Sequence, residues 1–135
     1  MPKKNPPSSK STRPTEAEVT ILRVLWDRGP STVREVHEAL DSQKSVGYTT
    51  TLKLLQKMAA KDLVARDESN RSHVYEAKSK EEPTQRRLVA DLLKNAFAGN
   101  TPSLVMRALS AKAASKEELA EIRGLLDEME RGTKE

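Results

Sequence analysis

Apolar residues recur at helical spacing along the first part of the chain. Val19, Leu22, Leu25 and Trp26 fall three and four residues apart and predict a helix that opens at Thr15 and stops near Gly29-Pro30. Thr15 and Glu18 have the T-x-x-E spacing of a capping box. Ser31 or Thr32 caps a second helix, whose stripe is Val33, Val36 and Leu40. After the link DSQKSVG comes a third, at about 48–61, with Leu52, Leu55, Met58 and Ala59 on its core side and Leu54 alongside. The period then changes. LVARD and SHVYEA are short β-type runs joined by the polar turn ESNR, which reads as a hairpin. Three helices followed by a two-stranded hairpin, over residues 15–79, is the winged-helix order.

A polar link at Lys78–Pro83 leads to three more helical segments, at about 83–98, 102–111 and 115–131. Thr101-Pro102 reads as a cap followed by proline in the first helical position, and Ser115 with Glu118 as another capping box. Their stripes are strongly apolar: Leu88, Leu92 and Phe97, then Leu104 and Val105, then Leu119, Ile122 and Leu126. A segment of this length is short for a self-sufficient core. The stripes can be covered by the same helices of a second chain or by packing back onto the winged-helix unit. The small size of the segment favours the first, a two-fold homodimer. The expected class is therefore mainly α with a small β-hairpin. A winged helix-turn-helix N-terminal domain (15–79) precedes a C-terminal three-helix dimerisation region (80–135).

The net charge of +4 is unevenly spread. Residues 1–14 hold Lys3, Lys4, Lys10 and Arg13, four prolines and no acid, so a disordered basic tail is expected there. Residues 42–66 hold Lys44, Lys53, Lys57, Lys61 and Arg66 against Asp62 alone, whereas residues 15–41 are net acidic. The cations gather around the third helix, as a polyanion contact would require.

That helix begins GYTTTLKLLQK, and its threonines are poor helix-interior residues. Thr49, Lys53 and Gln56 fall on the side away from the core stripe, with Thr50 and Lys57 flanking them. In a helix-turn-helix the start of the second motif helix enters the major groove. Threonine hydroxyls reach phosphates or base edges there, and Lys53 and Gln56 reach base edges or flanking backbone one turn on. Lys57 and Lys61 are expected to meet phosphates. Arg66 and Arg71 bracket the hairpin turn, where a wing would lie along the neighbouring backbone. The alternative is that the threonines only start the helix and the cations are solvated. A single-stranded nucleic-acid platform fits less well, because the chain has only Trp26, Tyr48, Tyr75 and Phe97 for stacking.

Little in the sequence supports catalysis. There is no cysteine, so disulfides, thiolate metal sites and cysteine nucleophiles are excluded. No glycine-rich phosphate loop or nucleophile elbow is present. His37 and His73 lack metal-ligand spacing and are expected on the surface side of a helix and in a hairpin strand. No enzyme activity, metal, cofactor or small-molecule substrate is expected. No apolar run approaches the roughly 18 to 20 residues of a membrane span, and the basic N-terminus lacks the apolar segment of a secretory signal. The expected location is the cytoplasm. The competing function class is a protein-interaction adaptor that uses a winged helix without touching DNA.

Three stretches, TEAEVTILRVLWDRGPSTVREVHEAL, YTTTLKLLQKMAAKDLV and SNRSHVYEA, resemble the penicillinase-repressor family of winged-helix transcriptional regulators (BlaI/MecI type). SLV at 103–105 and SKEELAEIRGLLDEM at 115–129 are similar to that family's dimerisation region. The most specific pieces are Leu25-Trp26, Tyr48-Thr49-Thr50, Lys61-x-Leu63-Val64, and Arg71 followed by Tyr75. The resemblance implies a homodimeric repressor on a palindromic operator in double-stranded DNA, typically controlling β-lactam-resistance or cell-envelope-stress genes. It places DNA contacts on Thr49, Thr50, Lys53 and Lys57 and on the wing around Arg71. It also implies a membrane sensor metalloprotease that inactivates the repressor by cutting its C-terminal region.

Three departures from the family pattern stand out. Asp62 replaces the glycine that usually follows the third helix, a mild change because aspartate tolerates the left-handed conformation. The C-terminal cysteines of the copper-responsive branch are absent. The segment matching Ser103–Met106 continues with asparagine and phenylalanine in sensor-cleaved members, the cut falling between them. Here Arg107-Ala108 stands in that place.

Overall fold

The computed structural model describes residues 13–41 and 46–132. Most of the basic tail and link residues 42–45 therefore lie outside the described residues. The chain divides into two compact units, Met1–Arg87 and Leu88–Glu135.

The first unit begins with α1 (Glu16–Arg28). Its capping box forms as the sequence suggests: the Glu18 amide donates to the Thr15 hydroxyl at 3.2 Å, and the Thr15 amide donates to the Glu18 carboxylate at 2.9 Å. Gly29, at φ 89, ends the helix by donating its amide to the Leu25 carbonyl. Ser31–Thr32 then forms a two-residue strand, β1, before α2 (Val33–Asp41). Thr32 is the cap of α2, exchanging hydrogen bonds with Glu35 in a second capping box. The helix α3 (Tyr48–Ala60) follows, then β2 (Val64–Asp67) and β3 (Val74–Ala77).

The sheet has three strands, not the two expected. Its antiparallel order is β1-β3-β2, with Ser31 opposite Tyr75 and Arg66 opposite the same tyrosine. A two-residue strand carries no periodicity, and Ser31-Thr32 has the composition of a helix cap. Its function is to seal the inner edge of β3, so that the hairpin is anchored to the helices at its base.

The core comprises Ile21, Leu22 and Leu25 from α1, Val33, Val36 and Leu40 from α2, Leu55 and Met58 from α3, and Leu63, Val64 and Tyr75. Ile21 joins it where Val19 was expected, and Val19, Trp26 and Leu52 are half-buried. The Trp26 indole donates to the Ser79 carbonyl at 2.8 Å, tying α1 to the segment that leaves the sheet. Asp62 adopts the left-handed conformation, φ 68, that a glycine would otherwise supply after α3.

The helices α4 (Glu81–Phe97), α5 (Thr101–Ala111) and α6 (Lys116–Gly132) complete the chain. The cap of α5 is Asn100, whose side chain accepts from the Ser103 amide, and Thr101-Pro102 are its first two residues. Asparagine is a stronger N-cap than threonine, and one residue earlier it takes that position. Ser115 and Glu118 form the expected capping box of α6. No residue of these three helices is buried.

Candidate nucleic-acid interface

The helix α3 has two unlike sides. Thr51, Leu55 and Met58 are buried, with Leu52, Leu54 and Ala59 packed against the core. Thr49, Thr50, Lys53, Gln56 and Lys57 are all exposed. The three threonines therefore divide. The hydroxyl of Thr51 turns inward and donates to the Gly47 carbonyl at 3.1 Å, while Thr49 and Thr50 face solvent.

Gly47 is the N-cap in an extended conformation and provides no side-chain acceptor. The first-turn amides of α3 are thus uncapped, at the end of the helix where the macrodipole favours an anion. Neither Lys53 nor Lys57 has a carboxylate partner among the described residues. Two free ammonium groups, one glutamine and two hydroxyls on one face make a surface that can donate to phosphate oxygens and base edges.

Lys61 does not belong to that surface. Its ammonium lies 2.6 Å from the Glu18 carboxylate, and the two side chains are 15% and 1% exposed. An expected phosphate contact is instead half of a buried ion pair between the end of α3 and the start of α1. The pair fixes one end of α3, since an unpaired Glu18 would be a costly buried charge. Sequence reasoning missed it because the partners are 43 residues apart, and Glu18 already had a role in the capping box.

The wing is the β2–β3 hairpin. Arg71 is exposed in its turn and has no carboxylate partner among the described residues. Arg66 is differently placed. A hydrogen bond with Tyr75 and the Glu68 carboxylate at 2.6 Å hold its guanidinium charged, above its ordinary value. Its cation is thus already partnered within the hairpin. The Ser69 hydroxyl and amide both stabilise the Asp67 carboxylate, lowering its pKa from the usual range and closing the turn. His73, expected in the second hairpin strand, is exposed and stands just before β3, and His37, expected on the surface side of its helix, is half-buried with its ring edge-on to Tyr48. Among the described residues no cluster of His, Asp and Glu could hold a metal ion, and no helix is long and apolar enough to cross a membrane.

The penicillinase repressor family model matches residues 14–128, spanning the winged helix and the C-terminal helices together. The chain belongs to the penicillinase-repressor family. Over 68 residues it is 41% identical to the transcriptional regulator BlaI of Mycobacterium tuberculosis, a stretch covering 50% of this chain and 49% of that protein. The chain thus matches about half the length of that relative. The penicillinase repressor of Staphylococcus aureus is 20% identical over 122 residues, covering 90% of this chain and 97% of that one. Among solved structures, a MarR family protein from Bacillus stearothermophilus gives a TM-score of 0.47 at 18% identity, covering 95% of this chain and 83% of that one. Bordetella bronchiseptica BpsR gives 0.45 at 20% identity, over 88% and 81%. These two likenesses carry no argument about ligand or partner.

Within the stretches that resemble the penicillinase-repressor family, the structure assigns residues different roles. Leu25 and Tyr75 are core, Lys61 is an internal clamp, and Thr49 and Thr50 are surface.

Proposed function

We propose that this chain is a transcriptional repressor that binds a palindromic operator in duplex DNA as a homodimer, reading it with α3 and steadying it with the wing. The observation that carries this reading is the exposed face of α3, where Thr49, Thr50, Lys53, Gln56 and Lys57 stand together with no carboxylate partner among the described residues. Lys53 and Gln56 reach base edges, while Lys57 and Arg71 meet phosphates. Arg66 stiffens the hairpin more than it contacts DNA, because Glu68 already compensates its charge.

The dimer reading rests on the second unit. Leu92, Val105 and Leu126 are 46%, 45% and 56% exposed, and Leu88, Phe97, Leu104, Leu119 and Ile122 are half-buried. Such an apolar surface is what a two-fold partner would cover. Family membership suggests control of β-lactam-resistance or cell-envelope-stress genes, from the cytoplasm.

Release by a sensor metalloprotease is the family's route, and this chain departs from it at Arg107-Ala108. Both residues are exposed within α5, so a protease would have to unwind the helix to cut there. A pocket built for a large apolar residue after the cut would lose most of its burial with alanine, about 2 to 3 kcal/mol. The expected outcome is inefficient cleavage by a sensor of the familiar specificity. Incubation with membranes carrying such a sensor, with and without a β-lactam, tests this by fragment size. Prompt induced cleavage between Arg107 and Ala108 would show that the departure is tolerated.

The DNA reading itself is tested by selecting bound fragments from the source genome with the full chain. A shared palindrome is expected, whereas no enrichment over input would favour the adaptor class.

A further inference from the structure

Tyr48 is the first residue of α3 and is 45% exposed. Among the described residues of the first unit it is the one large hydrophobic side chain left exposed. The helix does not need an aromatic ring there, since tyrosine is a poor helix former and the core stripe begins with Thr51. The ring is nonetheless held. His37 of α2 meets it edge-on, with centroids 5.8 Å apart and planes at 74°. The Tyr48 hydroxyl has no hydrogen-bond partner among the described residues. An oriented ring with an unused donor thus sits beside Thr49 and Thr50.

Resting on the reading of α3 as the DNA-contacting helix, we propose that Tyr48 is an additional DNA-backbone contact whose hydroxyl donates to a phosphodiester oxygen, and that His37 is the positioning residue that orients it. Helix N-termini are among the groups that contact phosphates as a reading helix enters the groove, and tyrosine is among the side chains that donate to them. The ring has two rotatable torsions, and the His37 contact limits them before DNA arrives, so little ordering is left to do on binding. A neutral donor differs from lysine in one measurable way. It adds affinity without neutralising a phosphate, and so should leave counterion release unchanged.

The test is equilibrium titration of the full chain and its variants against a labelled random-sequence duplex over a salt series, with thermal unfolding recorded for each protein. Tyr48→Phe keeps the ring and should bind about tenfold more weakly at every salt concentration, with an unchanged log–log slope. Lys57→Ala, the internal reference, should bind more weakly with a slope reduced by about one. His37→Ala should lose part of the Tyr48 effect and add little on top of Tyr48→Phe, while His37→Phe, which restores a ring edge, should recover most of it.

Binding by Tyr48→Phe within about twofold of the parent, alongside a weakened Lys57→Ala, overturns the Tyr48 contact and leaves the DNA face of α3 standing. A loss seen on a selected operator but not on the random duplex overturns the phosphate assignment in favour of base reading. Parental binding by both variants removes α3 as the DNA face, and the Tyr48 contact with it.

Discussion

Eleven apolar side chains between Ile21 and Tyr75 are buried in the first unit, whereas no described side chain of Leu88–Glu135 is. Both regions are rich in amphipathic helix, so the contrast lies in what faces the apolar side. In the first unit α1, α2 and α3 close on one another and on the sheet, leaving outward a polar face whose Lys53 and Lys57 have no carboxylate partner among the described residues. In the second, Leu92, Val105, Met106, Leu125, Leu126 and Met129 stay in contact with solvent. A helix that hides its apolar stripe within its own unit is free to specialise its outer face for a ligand. An open stripe is what the proposed two-fold partner would cover.

The comparison is broken most severely by separating the units. A chain ended after Arg87 should stay folded, because its core lies within that span, but should sediment as a monomer. Its binding to a palindromic duplex should fall by about 10²- to 10⁴-fold, because the second half-site contact no longer occurs within one molecule. A truncated chain that still dimerises would move the interface into the winged helix.

Substitutions within each unit sharpen the contrast. Lys61→Met leaves the buried Glu18 carboxylate without a counter-charge and should cost about 3 to 5 kcal/mol in denaturant unfolding. Leu55→Ala, at a fully buried position, should cost about 2 to 5 kcal/mol by the same measurement. Leu126→Asp should leave the unfolding of the first unit unchanged while weakening self-association in a dilution series. An equal loss of stability from Leu126→Asp and Leu55→Ala would mean that the two units share a core.

A finer effect belongs to the reading face. Lys53→Ala should lose about 1 to 3 kcal/mol on a selected operator, with relaxed preference at one base pair, and much less on random DNA. Equal losses on both duplexes would make Lys53 a backbone contact. The smallest effect is at Ala98, which holds φ 50 where α4 ends. Ala98→Gly should raise stability by up to about 1 kcal/mol, since glycine adopts that conformation without the Cβ clash.

Long-period features were legible in the chain and short or distant ones were not. The stripes of α1, α2 and α3, the two capping boxes at Thr15 and Ser115, and the hairpin all follow from spacing that repeats or from motifs three residues long. The strand at Ser31-Thr32 is too short to show a period, and its pairing partner Tyr75 lies far along the chain. The outer face of α3 was legible as a face. The burial of Thr51 was not, because three consecutive threonines differ only in the direction each one points. Lys61, expected to meet a phosphate, is instead paired with Glu18, which lies 43 residues away in the chain. The His37–Tyr48 contact joins two helices across the link at 42–47, and no pattern within either helix announces it.

The central claim, on the proposed function, is that the cations of α3, without carboxylate partners among the described residues, meet a polyanion. It is tested most directly by measuring the affinity of the full chain for duplex DNA as salt is raised. The account predicts a binding constant that falls linearly on a log–log plot with a steep negative slope, each phosphate-contacting lysine or arginine contributing about one unit. Binding that is absent at low salt, or that barely changes as salt rises, would contradict it.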